Sequence, residues 1–367
     1  MFISSDNRAL FYSGRVDFDN PKAPVLVYTC SYVKTIFTGR SIKAVMSNKR
    51  NCYRNFMGVI VDGVQSKIEL AENEGDFTYT LAENLSAGEH ELILFKRMDG
   101  GSHYVTVKGF EIEDGETVKH PYSEPSPRRI EVIGDSVSCG EKCEILERVG
   151  MGDPEFDDGC YSNGWYSYSW QVARNLGAEL HNTSQGGISL FDKTGWFNGP
   201  DDYRGVLSCY DKLEYNPPLG MKNWNFDLWK PHVVILAIGQ NDANPVDIME
   251  KDYDGEAAQN WRNEYRNFIL KLRELYPGVT VICTTTLLMH HSNWDRAIDE
   301  VVTSLDKTGG MDSAVVSNEP SKKVGVYHFM YKRNGAATPG HPRTPEHDEM
   351  AAELTEFIRS LGEEIWN

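Results

Sequence analysis

The pattern of apolar residues changes near residue 120, and that change restricts the chain to a fold in two parts. Up to that point it is a series of short runs rich in β-branched and aromatic residues: APVLVYTCS, YVKTIFTG, SIKAVMS, FMGVIVDGVQSKIEL, DFTYTL, HELILFKRM and HYVTVKGFEIE. None has helical period. Asp62-Gly63 is a hairpin turn signal between two of them, and Ser86-Ala87-Gly88 and Asp99-Gly100-Gly101 punctuate later ones. About seven or eight strands this closely spaced predict a β-sandwich of jelly-roll type over residues 1–120.

The stretch GETVKHPYSEPSPRR, residues 115–129, is rich in proline and poor in apolar residues, as a linker between domains is. Beyond it RRIEVIGDS, PHVVILAIG, VTVICTTTLL and VGVYHFMYK are nearly continuous apolar runs of strand length, with ELHNTS as a shorter one. Strands buried on both faces of a parallel sheet have this character. Helical stretches separate them: Trp165 to Leu176, closed by Gly177; Glu256 to Tyr276, closed by Pro277; and a last helix opened by Thr344-Pro345-Glu346, with the threonine as cap. Strand and helix alternating in this way predict a doubly wound α/β domain over residues 125–367.

Two such domains fit a chain of 367 residues. Lys and Arg number 37 against 54 Asp and Glu, a formal charge of -17, which repels nucleic acid and anionic lipid; neither is an expected partner. No apolar run is long enough to cross a bilayer. The cysteines, Cys30, Cys52, Cys139, Cys143, Cys160, Cys209 and Cys283, form no CxxC pair, so neither a disulfide framework nor a zinc ribbon is indicated. His181, His232, His290 and His291 lack ligand spacing, and no metal or other cofactor is expected. The opening residues MFISSDNRALFYSG lack the basic and apolar regions of a secretory leader, which sets the expectation of a cytoplasmic location.

Three loops at strand ends carry the chemistry. Gly134-Asp135-Ser136 follows the first strand of the second domain and places a serine at the edge where open α/β sheets bind ligands. After ELHNTS come Gly186 and Gly187, whose freedom at φ allows a tight turn that aims a backbone N–H outward. After HVVILAIG comes Gln240-Asn241-Asp242, with an amide side chain at the same edge. A serine, an outward N–H and an asparagine amide together make a nucleophile and an oxyanion hole. Each taken alone reads equally well as capping or turn chemistry; their convergence does not. His341, in the loop before the last helix, is the expected base. His347, in that helix's first turn, faces the positive end of the helix dipole and reads as structural.

These blocks, GDS around Ser136, Gly187, GxND from Gly239 to Asp242, and His341-Pro342, resemble those of the SGNH (GDSL) hydrolases. With a β-sandwich ahead of them and the pattern HPxxxxHxxMAxxL from His341 to Leu354, the chain is most similar to carbohydrate esterase family two, the acetyl xylan esterase type. The resemblance implies Ser136 as nucleophile and His341 as base. It also implies an oxyanion hole from the N–H groups of Ser136 and Gly187 and the amide of Asn241, with Gly186 a close alternative to Gly187. In SGNH enzymes an aspartate often lies two or three residues before the histidine; here Pro339 and Thr338 stand there. A backbone carbonyl, as in some members of that family, or Glu346 or Asp348 remain alternatives for orienting His341. The residue before the histidine, sometimes tryptophan in that family, is Gly340.

The implied activity is removal of O-acetyl groups from oligo- or polysaccharides such as xylan through an acetyl-enzyme. A broader lipase, thioesterase or acyltransferase is the second reading, and a non-catalytic carbohydrate-binding protein the third. Trp196, in DKTGWFNGPDD, and Trp224, in KNWNF, are flat apolar rings in polar loops and are the expected platforms for sugar rings.

Overall fold

The computed structural model describes residues 1–122, 126–156, 158–199, 201–307, 314–316 and 325–367. Ser123, Glu124 and Pro125 of the expected linker lie outside the described residues, as does Pro200 of the Trp196 loop.

The first domain is two six-stranded antiparallel sheets. One runs through the strands Val16–Asp17, Val25–Leu26, His103–Ile112, Ile42–Arg50 and Asp76–Ala82; the other through Val118–Lys119, Tyr32–Thr38, Glu89–Lys96, Phe56–Val61 and Val64–Glu69. Alternate residues of both, among them Val33, Phe37, Ala44, Met46, Val59, Leu94, Val105 and Val107, meet in one apolar core. The fold is a sandwich. Strands of two or three residues, such as Phe2–Ser4 and Phe11–Ser13, add to the longer ones legible in sequence. Val118–Lys119 pairs with Tyr32–Thr38, so the expected linker begins as strand. Asp62 (φ 51°) and Gly63 (φ 81°) join Phe56–Val61 to Val64–Glu69, as two left-handed residues in a hairpin turn should.

In the second domain, six parallel strands, β1 (Arg129–Gly134), β2 (Glu179–Asn182), β3 (Val233–Ala237), β4 (Thr280–Cys283), β5 (Ala314–Val316) and β6 (Val326–His328), stand in the order β2-β1-β3-β4-β6-β5. Only β5 had no counterpart in the sequence reading. The helices include α1 (Ser136–Cys139), α2 (Tyr168–Leu176), α3 (Glu256–Leu275), α4 (Asn293–Lys307) and α5 (Thr344–Ser360); Val206–Cys209 and Ile248–Lys251 form two further single turns. Successive strand residues point to opposite faces. Ile133, Val234, Leu236 and Val281 pack with Trp261, Tyr265 and Phe268 of α3 and Trp294 and Ile298 of α4. Ile130, Val132, Val233 and Ile235 pack with Val172 of α2 and Leu354 and Ile358 of α5. Two buried faces explain why the strands read as unbroken apolar runs. Arg343, not Thr344, is the N-cap of α5, because the Glu346 carboxylate accepts from the Arg343 N–H.

The domains share a buried seam. Cys30, Ile60 and Phe95 of the sandwich join the α2 cluster, with the Phe95 ring edge-on to Trp170 at 5.3 Å and the Tyr32 ring stacked on it at 5.7 Å. Gly58 is required there, because a Cβ would lie 2.0 Å from the Phe95 ring. Farther along, Arg15 of the sandwich, fully buried, pairs with Glu131 of β1 at 2.7 Å.

Candidate active site

A cleft of about 1060 Å³ lies where this seam meets the carboxyl ends of β1, β2 and β3, at the point where the strand order reverses. Both domains line it: Asn51, Cys52, Tyr53, Asp99, Gly101 and Ser102 from the sandwich, and the three strand-end loops, Trp196 and His341 from the α/β domain.

Gly134 ends β1, and a side chain there would collide with Ser138, 2.1 Å from a Cβ. Asp135 caps α1 by accepting from the Val137 N–H at 3.0 Å, which leaves Ser136 as the first helical residue with its hydroxyl turned to the cleft. The capping role thus falls to Asp135. Asp135 also accepts from Gln240 Nε2 at 2.6 Å, and burial raises its pKa above the ordinary aspartate value despite that bond.

Ser136 Oγ lies 2.8 Å from His341 Nε2. On the other side of the ring, His341 Nδ1 lies 2.5 Å from Asp153 Oδ2, and the His341 backbone N–H donates to Asp153 Oδ1 at 3.1 Å. Arg343 donates to the same carboxylate at 2.8 Å and Lys142 approaches it at 3.5 Å. Burial alone would raise the Asp153 pKa; the hydrogen bond and charge of His341, then Arg343 and Lys142, outweigh it and hold the carboxyl well below the usual range. Asp153 is the carboxylate the sequence reading did not find. Glu346 instead caps α5 and Asp348 accepts from Gln171. The loop carrying Asp153 crosses directly over Gly340, where a Cβ would stand 2.6 Å from the Asp153 nitrogen and 2.8 Å from the Met151 carbonyl. A tryptophan at 340 would exclude that loop, so the glycine before the histidine was the available signal.

Gly187 (φ 73°) and Asn241 both line the cleft with Ser136. The Gly186 N–H donates to Asp99 Oδ2 at 3.0 Å, so of the two glycines Gly187 is the one whose N–H is left for a ligand. Asn241 Nδ2 donates to the Ile188 carbonyl at 3.0 Å and, at 3.3 Å, to Asp135. Its neighbour Asp242 is buried; it accepts from the Leu190 N–H and the Trp261 indole, and burial pushes its carboxyl up to about 6.

The aromatic residues divide. Trp196 lines the cleft and is 61% exposed, with Tyr53 of the sandwich, 53% exposed, another ring lining it. Trp224 is elsewhere: its ring lies 5.3 Å from the Arg15 guanidinium and 6.2 Å from His181, and it does not line the cleft. A buried guanidinium is stabilised by aromatic faces, and Tyr210 and Phe226 flank Arg15 as well. His347 is buried at the start of α5. It accepts from the Tyr168 N–H through Nδ1 at 3.1 Å and does not line the cleft.

Known proteins resemble the chain in both of its parts. Residues 12–121 match the model of the carbohydrate esterase 2 N-terminal domain. Over 362 residues, 97% of its length, the chain is 26% identical to the cellulase/esterase CelE of Acetivibrio thermocellus, spanning 40% of that protein. It is 24% identical over 364 residues to an acetylxylan esterase / glucomannan deacetylase of Cellvibrio japonicus, covering 98% of this chain and 90% of that one. A family two carbohydrate esterase from Clostridium thermocellum, solved in complex with cellohexaose, superposes with a TM-score of 0.77 at 25% identity, over 95% of this chain and 98% of the other. With serine, turn, amide and histidine blocks like those of the SGNH hydrolases gathered at one sheet edge behind such an N-terminal domain, the chain resembles carbohydrate esterase family two along nearly its whole length.

Proposed function

We propose that the protein is a serine esterase that removes O-acetyl groups from oligo- or polysaccharides, with Ser136 as nucleophile, His341 as base and Asp153 as the group that orients it. The observation that carries this is the unbroken chain from Ser136 Oγ to His341 Nε2 and from His341 Nδ1 to Asp153, open to a cleft wide enough for a sugar. Sugar as the substrate class is supported by the relatives named above and by the exposed rings of Trp196 and Tyr53 on the cleft wall.

Ser136 Oγ attacks the acetyl carbonyl while His341 Nε2 takes its proton, and Asp153 stabilises the imidazolium. The negative charge moves to the carbonyl oxygen, which takes hydrogen bonds from the N–H groups of Ser136 and Gly187 and from the Asn241 amide, three residues that line the cleft together. The second Asn241 proton has only the long 3.3 Å contact to Asp135, so it is the one that oxygen can share. The C–O bond to the sugar then breaks and the sugar oxygen leaves with the proton from His341. Water, deprotonated at the same nitrogen, attacks the acetyl-enzyme; collapse releases acetate and restores the Ser136 hydroxyl.

The test is hydrolysis of p-nitrophenyl esters from acetyl to octanoyl alongside acetylated xylo- and gluco-oligosaccharides. A maximum of kcat/KM at acetyl, a further rise on the sugar esters, and loss of nearly all turnover in Ser136→Ala and in His341→Ala are expected. A maximum at butyryl or longer would point to a lipase or thioesterase, and an inert protein that binds the oligosaccharides to a carbohydrate-binding role.

A further inference from the structure

The turn Gln185-Gly186-Gly187 is built from the α/β domain but held by the sandwich. Asp99, in the loop after the strand Glu89–Lys96, is buried; its Oδ2 accepts from the Gly186 N–H and from Gln185 Nε2, each at 3.0 Å, and its Oδ1 accepts from the N–H and hydroxyl of Ser102. Gln185 Nε2 also donates to the Gly186 carbonyl at 2.9 Å, while Gln185 Oε1 accepts from the Gly101 N–H at 2.7 Å and from the Tyr215 hydroxyl at 2.5 Å. Beneath the loop, the buried Lys96 ammonium donates to the Met98 and Asp99 carbonyls, each at 2.7 Å.

These bonds fix one peptide plane. In a trans peptide the C=O and the following N–H point in opposite directions, so holding the Gly186 carbonyl against Gln185 turns the Gly187 N–H away from it, towards the cleft. Two adjacent glycines have no steric reason to keep that orientation, since both signs of φ are open to them. If the plane flipped, a carbonyl oxygen would face the carbonyl under attack and one oxyanion donor would be lost.

We propose that Asp99 is a positioning residue for catalysis: through Gly186 and Gln185 it locks the Gly186–Gly187 peptide with its N–H in the oxyanion hole, which makes the sandwich domain part of the esterase machinery. The inference rests on the esterase reading above. Asp99 touches no reacting atom; it acts through the turn. An asparagine cannot replace it, because four donors converge on the carboxylate and an amide offers an acceptor to one pair while presenting its own N–H groups to the other.

The experiment is steady-state kinetics of Asp99→Asn and of the intact wild type on p-nitrophenyl acetate, with the unfolding midpoint of each. The expected result is a fall in kcat of roughly 10- to 100-fold at a KM within about twofold of wild type, in a protein that still unfolds cooperatively, because the donor matters chiefly in the transition state. A merely structural role would move the midpoint and leave kcat of the folded fraction alone. Should Asp99→Asn fail to fold, Lys96→Met keeps the side-chain length and removes only the two bonds to the loop. A several-fold drop in kcat at constant KM supports the assignment, and an unchanged kcat overturns it. An inert wild type would overturn the esterase reading and this inference with it; an active wild type whose variants keep full kcat overturns this inference alone.

Discussion

Asp153 reaches His341 from 188 residues earlier in the chain, in an irregular loop between α1 and α2, and this is why no local pattern announced it. Ser136, Gly187 and Asn241 were legible because each directly follows a strand whose apolar run can be read, and His341 because the histidine loop directly precedes a helix. Trp224 misled for the opposite reason: an aromatic residue among asparagines looks the same whether it faces a cleft or covers a buried arginine. Asp153→Asn should lower kcat by roughly 100- to 10,000-fold at nearly constant KM, since the amide favours the wrong tautomer of His341, and single-turnover assays would show the loss in acylation. A drop below about tenfold would mean that a backbone group orients the ring. Asn241→Ala should cost roughly 100- to 1000-fold in kcat, read in the same assay. Trp196→Ala should cost about tenfold or less in kcat/KM on acetylated oligosaccharides and nothing on p-nitrophenyl acetate, whereas Trp224→Ala should spare both and lower stability.

At the scale of elements, the parallel sheet delivers every proposed group except Asp153 and His341, and those two meet because a loop lies across Gly340. Gly340→Ala therefore forces the 151–153 backbone outward and should lower kcat by about 100-fold, the cost of a displacement near 1 Å in a group that must be aligned. The same variant should leave α5 intact, which circular dichroism would verify. The start of that helix supports a second expectation. Burial, with the charges of His341 and Arg343, lowers the His347 pKa from 6.5 to about 3. Below pH 6.5 the unfolded chain binds a proton at this position that the folded one refuses, so stability falls as pH falls, by about 1.4 kcal/mol per pH unit for this one site. His347→Gln removes the linkage. Its stability relative to wild type should rise between pH 7 and pH 5 in urea titrations, and a constant difference would show that His347 takes up its proton without unfolding.

For the whole molecule, the sequence revealed both domains but not the surface between them. Arg15, Glu131, Phe95 and Trp170 each sit inside ordinary strand or helix patterns, and nothing periodic marks a residue as facing another domain. The pair of Arg15 with Glu131 is closed from solvent on both sides. Arg15→Met would strand the Glu131 carboxylate in the interior and should destabilise the protein by about 3–5 kcal/mol, whereas the double change Arg15→Met with Glu131→Leu should recover most of that loss. All eight tryptophans lie beyond residue 160, so their fluorescence reports the α/β domain and, through Trp170 and Trp224, the seam, while far-ultraviolet circular dichroism reports the backbone of both domains. The two transitions should coincide.

A seam of this kind also bears on how such proteins can be assembled in evolution. A sandwich joined by a flexible tether could be lost, duplicated or exchanged while its neighbour kept working. Here a break near residue 120 would leave Phe95 and Arg15 bare in one fragment and Trp170 and Glu131 in the other, so each half should be less stable than the whole. Selection should then keep the two together, and the alignment to CelE takes in both, 97% of this chain within a longer protein.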